Sequence, residues 1–258
     1  MLDPDYPLIS CLCITRRKPA YLKRAIECFS GQRYSNKELI LVYEDDDEDT
    51  IGFLNTTKIP AEVRPIKVPR TPKLSLGELR NLSIEESRGE FFCQWDDDDW
   101  YHERRLEFQV NELIENDKDV SVLVYQLMYN AFTRQAFVSG VGPWPGTVLC
   151  KTRSVKDAGI RYPKLTKSED DDFLMQLYSR MSIYPVIKPS LYIYVYHGKN
   201  TWEADHFKML FNHANPLSGE LSERVGQILE RRVNHDEASA SLFDRSFLKG
   251  LNYFKQTR

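Results

Sequence analysis

Short apolar runs rich in β-branched and aromatic residues alternate along the chain with segments in which apolar residues recur every three or four positions. The apolar runs predict strands over residues 8–15, 37–44, 63–68, 90–95, 121–129, 147–150 and 192–197. The periodic segments predict helices over residues 19–29, 76–87, 104–116 and 168–180. Alternation of this kind is typical of βαβ units, so we predict an α/β fold with a mostly parallel sheet flanked by helices.

Local signals support the first and second of these helices. Pro19 suits a first-turn position, and Tyr21 falls on the apolar stripe of the helix that follows it. Ser75 and Glu78 have the spacing of a capping box, which predicts that the second helix starts at Leu76. Gly89 predicts that this helix ends shortly before it.

The C-terminal part of the chain has a different pattern. Apolar residues recur at helical spacing over 217–233 and again over 242–254, which predicts two closing helices. No internal repeat or long linker separates this tail from the rest of the chain. We therefore predict a catalytic α/β domain over residues 1–202 and a helical extension over residues 203–258 packed on it.

Composition narrows the class of protein. The 258 residues include 35 Lys and Arg against 38 Asp and Glu, so the net charge of -3 gives no basic surplus for binding nucleic acid. The mean hydropathy of -0.50 is that of a soluble globular protein. The longest apolar stretch, residues 120–132, is too short to cross a bilayer, and the acidic N-terminus does not resemble a secretory signal. We expect a cytoplasmic protein whose five cysteines are reduced thiols.

The common glycine-rich and nucleophile motifs are absent. The sequence contains no G-x-x-x-x-G-K-[ST] loop, no strand-linked G-x-G-x-x-G and no G-x-S-x-G. P-loop hydrolysis, dinucleotide binding of the usual type and serine hydrolysis are therefore disfavoured. The candidate chemistry lies in three acidic clusters.

The first cluster is the aspartate quartet, by which we mean Asp96 to Asp99, between Trp95 and Trp100. It follows a predicted strand, and ligands of parallel sheets bind at the carboxyl ends of strands. Four adjacent carboxylates repel one another unless a cation neutralises them, and hard divalent ions prefer oxygen ligands. A solvated acidic turn is the alternative, but the two flanking indoles favour a binding site.

The other two clusters allow both functional and structural interpretations. Residues 44–49 fail as an EF-hand loop because Thr50 and Thr56 occupy the positions that require Gly and Glu. An acid at this strand end could accept hydrogen bonds from a base or a ribose, or it could lie in a polar loop. Residues 169–172 lie in a predicted first helical turn, where the helix dipole alone favours acids.

Taken in order, six sequence blocks resemble the family 2 glycosyltransferases, which are inverting enzymes of the GT-A nucleotide-sugar fold, a Rossmann-like arrangement. The blocks extend over residues 14–26, 43–50, 77–82, 89–99, 169–170 and 197–201, and the resemblance covers residues 8 to about 202. Each block alone is weak, but their common order is specific. The resemblance implies an enzyme of the hexosyltransferase type.

This resemblance also implies roles for individual side chains. Asp98 corresponds to the direct ligand of a catalytic Mn²⁺ or Mg²⁺ ion, with Asp96 and His197 as further candidate ligands. Asp170 corresponds to the general base that deprotonates the acceptor hydroxyl. The side chains implied in nucleotide binding are Thr15, Glu44, Asp45, Arg80, Asp96 and Asp97.

The implied partners are a nucleotide-diphosphate sugar donor and a carbohydrate or lipid-linked acceptor. On the acceptor side we place Glu169 and Trp144, whose indole lies in a Gly- and Pro-rich loop and offers a flat face to a sugar ring. The basic end of the chain, with Lys249, Lys255 and Arg258, could make peripheral contact with a membrane, although capping of the domain is the simpler role.

Departures from the family pattern leave the donor open. Ile14 and Arg17 replace the usual Pro and Asn, and residues 43–46 replace D-D-G-S, so the base is not fixed as uracil. Two alternatives to a transferase remain at this point. One is a metal-dependent phosphohydrolase with an aspartyl nucleophile, and the other is a nucleotide-sugar binding module without turnover.

Overall fold

The computed structural model describes residues 6–251. Its strands are β1 (Ile9–Ile14), β2 (Lys37–Glu44), β3 (Val63–Val68), β4 (Phe91–Gln94), β5 (Trp100–Tyr101), β6 (Val120–Leu123), β7 (Leu127–Asn130), β8 (Gln135–Val138), β9 (Leu149–Lys151), β10 (Ile183–Val186), β11 (Tyr192–Tyr196) and β12 (Asn215–Pro216). Its helices are α1 (Pro19–Ser30), α2 (Glu48–Thr56), α3 (Leu76–Glu86), α4 (Arg105–Glu115), α5 (Thr152–Asp157), α6 (Glu169–Arg180), α7 (Ala204–Asn212), α8 (Gly219–Leu229), α9 (His235–Phe243) and α10 (Arg245–Gly250).

Two sheets organise these elements. The larger sheet has the strand order β10-β6-β9-β4-β1-β2-β3, and β9 is its antiparallel member. The smaller sheet has the order β12-β8-β7-β11-β5 and pairs mainly antiparallel strands. Alternate residues of β1, such as Cys11 and Leu12, belong to different apolar clusters, so both faces of the larger sheet are buried. The predicted α/β class with a mostly parallel sheet is confirmed.

The order of the larger sheet creates a crevice at its centre. The chain runs outward from β1 to β2 and β3 on one side, and β4 pairs with β1 in parallel on the other side. The strand order therefore reverses between β1 and β4. At such a point the loops that follow the two strands lead to opposite sides, which opens a space beyond the carboxyl ends of these strands. Thr15 and Asp96 follow these two strand ends.

Helix signals in the sequence hold for α1 and α3. Pro19 is the first residue of α1, and the capping box between Ser75 and Glu78 opens α3. Tyr21, which was placed on the apolar stripe of α1, lies at the edge of that stripe. Tyr21 is half-buried, and its ring stacks on the His197 ring at a centroid distance of 4.2 Å.

Two element predictions needed correction. The single strand predicted over 121–129 is two strands, β6 and β7, which belong to different sheets. Both are buried, so their combined apolar run gave no sign of the crossing between them. Helix α2 was not predicted, although Asp47 caps it by accepting from the Thr50 backbone N–H at 3.1 Å, ahead of an acidic first turn.

The C-terminal tail contains four described helices, α7 to α10, rather than the predicted two. The segment predicted as one helix over 242–254 is interrupted at Asp244, which ends α9 and caps α10. Val225, Leu242 and Phe247 from this tail join the same apolar cluster as Cys11 of β1. The predicted helical positions beyond 251, and Lys255 and Arg258, lie outside the described residues. Across residues 6–251 no helix is both long enough and apolar enough to span a bilayer.

His102 joins the α/β core to α9. Its ring is buried, with Nε2 3.1 Å from the Ser239 carbonyl oxygen and Nδ1 accepting from the Arg104 backbone N–H at 3.0 Å. Burial lowers the pKa of His102 to about 3, so the folded protein holds it neutral. Protonation of Nδ1 would remove an acceptor and place a charge in an apolar contact with Phe243.

We therefore expect the protein to become less stable as the pH is lowered, because His102 is neutral in the folded state. The unfolded chain binds a proton near pH 6.5 and the folded chain does not, so the free energy of unfolding decreases below that pH by up to about 1.4 kcal/mol per pH unit. Urea titrations between pH 7.5 and 4.5 on wild type and His102→Gln measure this slope. Equal slopes in the two proteins would contradict the assignment.

Candidate active site

A cavity of about 620 Å³ lies beyond the carboxyl ends of β1 and β4. Its lining includes Thr15 after β1, the aspartate quartet after β4, and Asp170 in the first turn of α6. A short 3-10 turn over Pro145–Thr147 and the segment 199–202 close its sides. The first and third acidic clusters therefore meet in one cleft, as a ligand site at this edge of the sheet requires.

Asp97 joins the quartet to the end of β1. The Thr15 hydroxyl donates to its carboxylate at 2.7 Å, and only 4% of Asp97 is exposed. Burial and the neighbouring charge of Asp98 raise the pKa of Asp97, while Lys18 and Thr15 oppose that rise. Asp97 thus fixes the relative position of the two strand ends that form the crevice.

Asp98 lies between two basic side chains. The Lys18 ammonium is 2.7 Å from its Oδ2, and His197 Nε2 is 2.9 Å from the same oxygen. Burial alone would raise the pKa of Asp98, but the His197 hydrogen bond and the Lys18 charge outweigh it and lower that pKa. Asp98 is therefore an anion held at the floor of the cleft.

Asp99 secures the strand that carries His197. It is fully buried, and it accepts from the Tyr192 hydroxyl and, at 2.9 Å, from the Val195 backbone N–H. Burial and the charge of Asp98 raise the pKa of Asp99. Because His197 directly follows β11, these two bonds to β11 place the imidazole beside Asp98.

Arg80 connects the quartet to α6. Its Nη2 donates to Asp96 Oδ1 at 3.2 Å and its Nε donates to Glu169 Oε1 at 3.0 Å. Burial alone would lower the pKa of Arg80, but the charge of Asp96 and the neighbouring Tyr162 and Glu169 raise it, so the guanidinium stays charged. One buried cation thereby fixes the distance between the first and the third acidic cluster.

Asp170 is the half-buried carboxylate of α6 that lines the cleft. Burial raises the pKa of Asp170, against the opposing charge of Arg80. Its neighbour Glu169, which we placed on the acceptor side, is 3% exposed and accepts from Arg80. Ser168 precedes the helix in the left-handed region, with φ of 58°.

The turn that carries Trp144 lies against the quartet. A Cβ at Gly146 would be 3.1 Å from the Tyr192 hydroxyl and 3.4 Å from Asp96 Oδ2, so the backbone approaches the acids closely there. The Thr147 hydroxyl donates to the Trp144 carbonyl at 2.7 Å and closes the turn. Trp144 is part of the cavity lining.

Three predicted site residues do not line the cavity. Glu44 is buried, and it pairs with Arg16 and with Lys73 at 2.7 Å. Asp45 is exposed and accepts from the Arg70 backbone N–H at 2.9 Å. His197 reaches the site through its contact with Asp98.

Lys18 is the site residue that sequence reasoning missed. It lies between the end of β1 and Pro19, and nothing in its local sequence distinguishes it from a surface lysine. Burial alone would lower the pKa of Lys18, but Asp98 and Asp97 raise it, so the ammonium remains charged. Only the approach of the α1 N-terminus to the quartet reveals this pairing.

The donor set suits a divalent cation that is shared with a ligand. Within the described part of the chain, no group of three or more histidine, cysteine, aspartate and glutamate side chains is arranged to hold a metal ion. Asp98 and His197 do converge, and carboxylate with imidazole suits Mn²⁺. Ions of the Mg²⁺ type are commonly bound by one or two carboxylates plus substrate phosphates, so the residues present fit such an ion.

Comparison with known proteins identifies the family. The family model described as "Glycosyl transferase family 2" matches residues 10–182, which include β1, the quartet and α6. The chain belongs to this family. An uncharacterized glycosyltransferase of Haemophilus influenzae is 29% identical over 113 residues, which make up 43% of this chain and 44% of the relative. This family 2 chain thus aligns with less than half of that relative's length.

Solved structures share the fold of this family 2 chain. A crystal structure of S. aureus TarS 1-349 matches with a TM-score of 0.57 and 20% identity over 72% of this chain and 60% of that chain. The same TarS fragment in complex with UDP-GlcNAc matches with a TM-score of 0.63 and 17% identity, over 93% of this chain and 72% of that chain. At these identities the likeness shows the fold, which is α/β of the GT-A type.

Proposed function

We propose that the protein transfers a sugar, of the hexosyl type, from a nucleoside-diphosphate sugar to an acceptor hydroxyl with inversion at the anomeric carbon. The observation that carries this proposal is the cleft in which the aspartate quartet and Asp170 face the same space, tied together by Arg80. Membership of family 2 supports glycosyl transfer, and the UDP-GlcNAc complex of TarS supports a nucleoside-diphosphate sugar as donor.

Donor binding is assigned to the floor of the cleft. Asp97 and Asp96 would meet the nucleoside side of the donor, since hydroxyl and amide groups donate readily to carboxylates. Lys18 also lines this part of the cleft, and its ammonium can pair with phosphate oxygens once it turns away from Asp98. Asp98 and His197 would hold Mn²⁺ or Mg²⁺. Such an ion, when bound, stabilises negative charge that develops on the diphosphate leaving group.

Asp170 is assigned as the general base. The bond between the acceptor oxygen and the anomeric carbon forms while the bond from that carbon to the diphosphate oxygen breaks. The acceptor proton passes to the Asp170 carboxylate, and the electron pair of the broken bond leaves with the diphosphate. Attack from the face opposite the leaving group inverts the anomeric centre, so α6 must present Asp170 across the sugar from the quartet.

The acceptor side is assigned to the aromatic part of the lining. Trp144 with its flanking prolines and Trp202 with Met209 give this wall flat and apolar surface. Indole faces pack well against sugar rings and alkyl chains. We propose a carbohydrate or lipid-linked acceptor on this wall.

The two alternative functions are separable. A phosphohydrolase with an aspartyl nucleophile would use a quartet carboxylate as the attacking group, and Asp97 and Asp99 already accept hydrogen bonds from Thr15 and Tyr192. A binding module without turnover would keep donor affinity but show no chemistry. Family membership favours transfer over both.

A panel of nucleotide sugars tests the proposed function. We expect a uridine or other nucleoside-diphosphate sugar to raise the melting temperature in the presence of Mn²⁺, and we expect slow hydrolysis of the same donor. Simple phosphate esters should remain intact. Donor binding with no hydrolysis or transfer to any acceptor would favour the binding module, and hydrolysis of simple esters would favour the phosphohydrolase.

The rate of transfer should depend on pH through Asp170. A general base must be ionised, and burial raises the pKa of Asp170 above its ordinary value of 3.8. Activity is therefore present above the raised pKa and lost as the pH falls through it, at a higher pH than for an exposed carboxylate. A profile of kcat between pH 4.5 and 8 should show this acidic limb. The residual activity of Asp170→Asn should lack it, and an unchanged limb in that variant would contradict the assignment.

A further inference from the structure

A second cavity, of about 440 Å³, lies between α1 and the segment joining α8 to α9. Its lining combines Arg24 and Glu27 of α1 with Arg231, Arg232 and His235 of the C-terminal tail. Trp100 of β5 is also part of the lining. The cavity is separate from the candidate active site, because the two linings share no residue.

Charge in this cavity is unbalanced toward the basic side. Arg231 forms an ion pair with Glu27, and Arg232 pairs with Glu230 at 2.7 Å. Arg24 forms no ion pair within the described residues. Among the described residues that line the cavity, three arginines therefore stand against one carboxylate, that of Glu27.

Arg24 is the buried group that points to a ligand. The residue is 8% exposed, and its Nε is buried without a hydrogen-bond partner. Its Nη2 donates to the backbone carbonyl of Asp98. A buried cation without a counter-charge is strongly destabilising, and an unmade hydrogen bond on the same group adds to that cost. An anion in the adjoining cavity would supply both the charge and the acceptor.

We propose that this cavity is a binding site for a phosphate-class anion, meaning inorganic phosphate or the phosphoryl end of a phosphomonoester. Tetrahedral phosphate oxygens match the fork of guanidinium donors, which bind them through paired, charge-assisted hydrogen bonds. Arg24 borders the inner side of the cavity and would turn its unpaired Nε toward the anion, and Arg231 and Arg232 close the outer side. The site is distinct from the proposed donor site and adds a ligand that the transfer reaction does not use.

The same contact couples this site to the catalytic cleft. The Arg24 guanidinium bonds to the Asp98 carbonyl, so an anion that fixes Arg24 also fixes the backbone of the aspartate quartet. The ligand acts on the Asp98 backbone alone, and no bond of the ligand is broken. Binding at this site is therefore measurable without donor, acceptor or turnover, and its failure leaves the proposed function intact.

Calorimetric titration of inorganic phosphate into the whole protein tests the site. Wild type should bind phosphate at an ionic strength matched with sodium chloride. The Arg231→Gln/Arg232→Gln variant keeps the buried Arg24 and should lose affinity about tenfold or more, and Arg24→Gln should lose it as strongly. Arg153→Gln/Lys156→Gln, which removes the same charge from exposed positions on α5, should bind like wild type.

Two further experiments test where the anion binds and whether the phosphoryl group comes from a lipid headgroup or from a soluble molecule. Lys18→Gln should retain phosphate affinity if the anion is outside the donor cleft. Sedimentation with phosphatidylcholine vesicles containing phosphatidic acid distinguishes a lipid headgroup from a soluble anion. Vesicle binding lost in Arg231→Gln/Arg232→Gln assigns the headgroup, and phosphate binding without vesicle binding assigns the soluble anion. The site would be overturned by no phosphate binding to wild type, by wild-type affinity in both arginine variants, or by a loss of affinity in Lys18→Gln alone.

Discussion

Replacing Asp98 by Asn should lower kcat for sugar transfer by a factor of about 10³ or more, because it removes the anion at the centre of the proposed donor site. Asn keeps the size of the side chain but cannot balance the Lys18 ammonium or bind a divalent cation as strongly. The apparent affinity for Mn²⁺ should fall in parallel, measured as the metal dependence of donor hydrolysis. The fold should persist, since Asp97 and Asp99 keep their bonds to Thr15 and Tyr192.

Asp157→Asn is the matched control for this experiment. Asp157 is an exposed carboxylate at the end of α5, remote from the cleft lining, and its replacement should leave both kcat and the metal dependence at wild-type values. If Asp98→Asn keeps transfer within about threefold of wild type, Asp98 has no part in stabilising the leaving group.

Replacing Asp170 by Asn should lower kcat by a factor of about 10² to 10⁴, with the KM for the donor nearly unchanged. The amide cannot accept the acceptor proton, whereas donor contacts on the floor of the cleft remain in place. Steady-state kinetics with separate variation of donor and acceptor distinguishes loss of the base from loss of binding.

Asp171→Asn provides the neighbouring control. Asp171 also lines the cleft and carries the same charge, but its side chain is exposed, whereas that of Asp170 is half-buried. Its replacement should change kcat by less than about threefold. Equal losses in Asp170→Asn and Asp171→Asn would show that the first turn of α6 acts through its total charge and that Asp170 is not the base.

Most strands of the larger sheet could be predicted from runs rich in apolar and β-branched residues, but β10 was missed. The predicted spans 37–44 and 63–68 coincide with β2 and β3. The second sheet could not be foreseen, since β6 and β7 lie in one apolar run and only their partners assign them to different sheets. The interruption of the tail at Asp244 was also hidden, because apolar spacing continues through a residue whose side chain caps the next helix.

The candidate site could be predicted from the sequence where its residues form a cluster along the chain, but not where they depend on long-range pairing. The aspartate quartet was predicted as a binding site because four acids after a strand are visible as a run, whereas Asp170 was singled out only by the family resemblance. Glu44 was also visible as part of a run, but Arg16 and Lys73 bind it outside the cleft. Lys18 and Arg24 were missed because a single basic residue has no pattern, and its partner is fixed only when α1 packs beside β4 and its loop.

A crystal soaked with Mn²⁺ and a nucleoside diphosphate tests the central claim most directly. The account predicts anomalous density for one Mn²⁺ ion bound by Asp98 and by diphosphate oxygens, with the ribose beside Asp96 or Asp97 and Lys18 moved from Asp98 to a phosphate. A diphosphate bound elsewhere, or an Asp98 carboxylate still paired with Lys18 and without metal at saturating ligand, would contradict it.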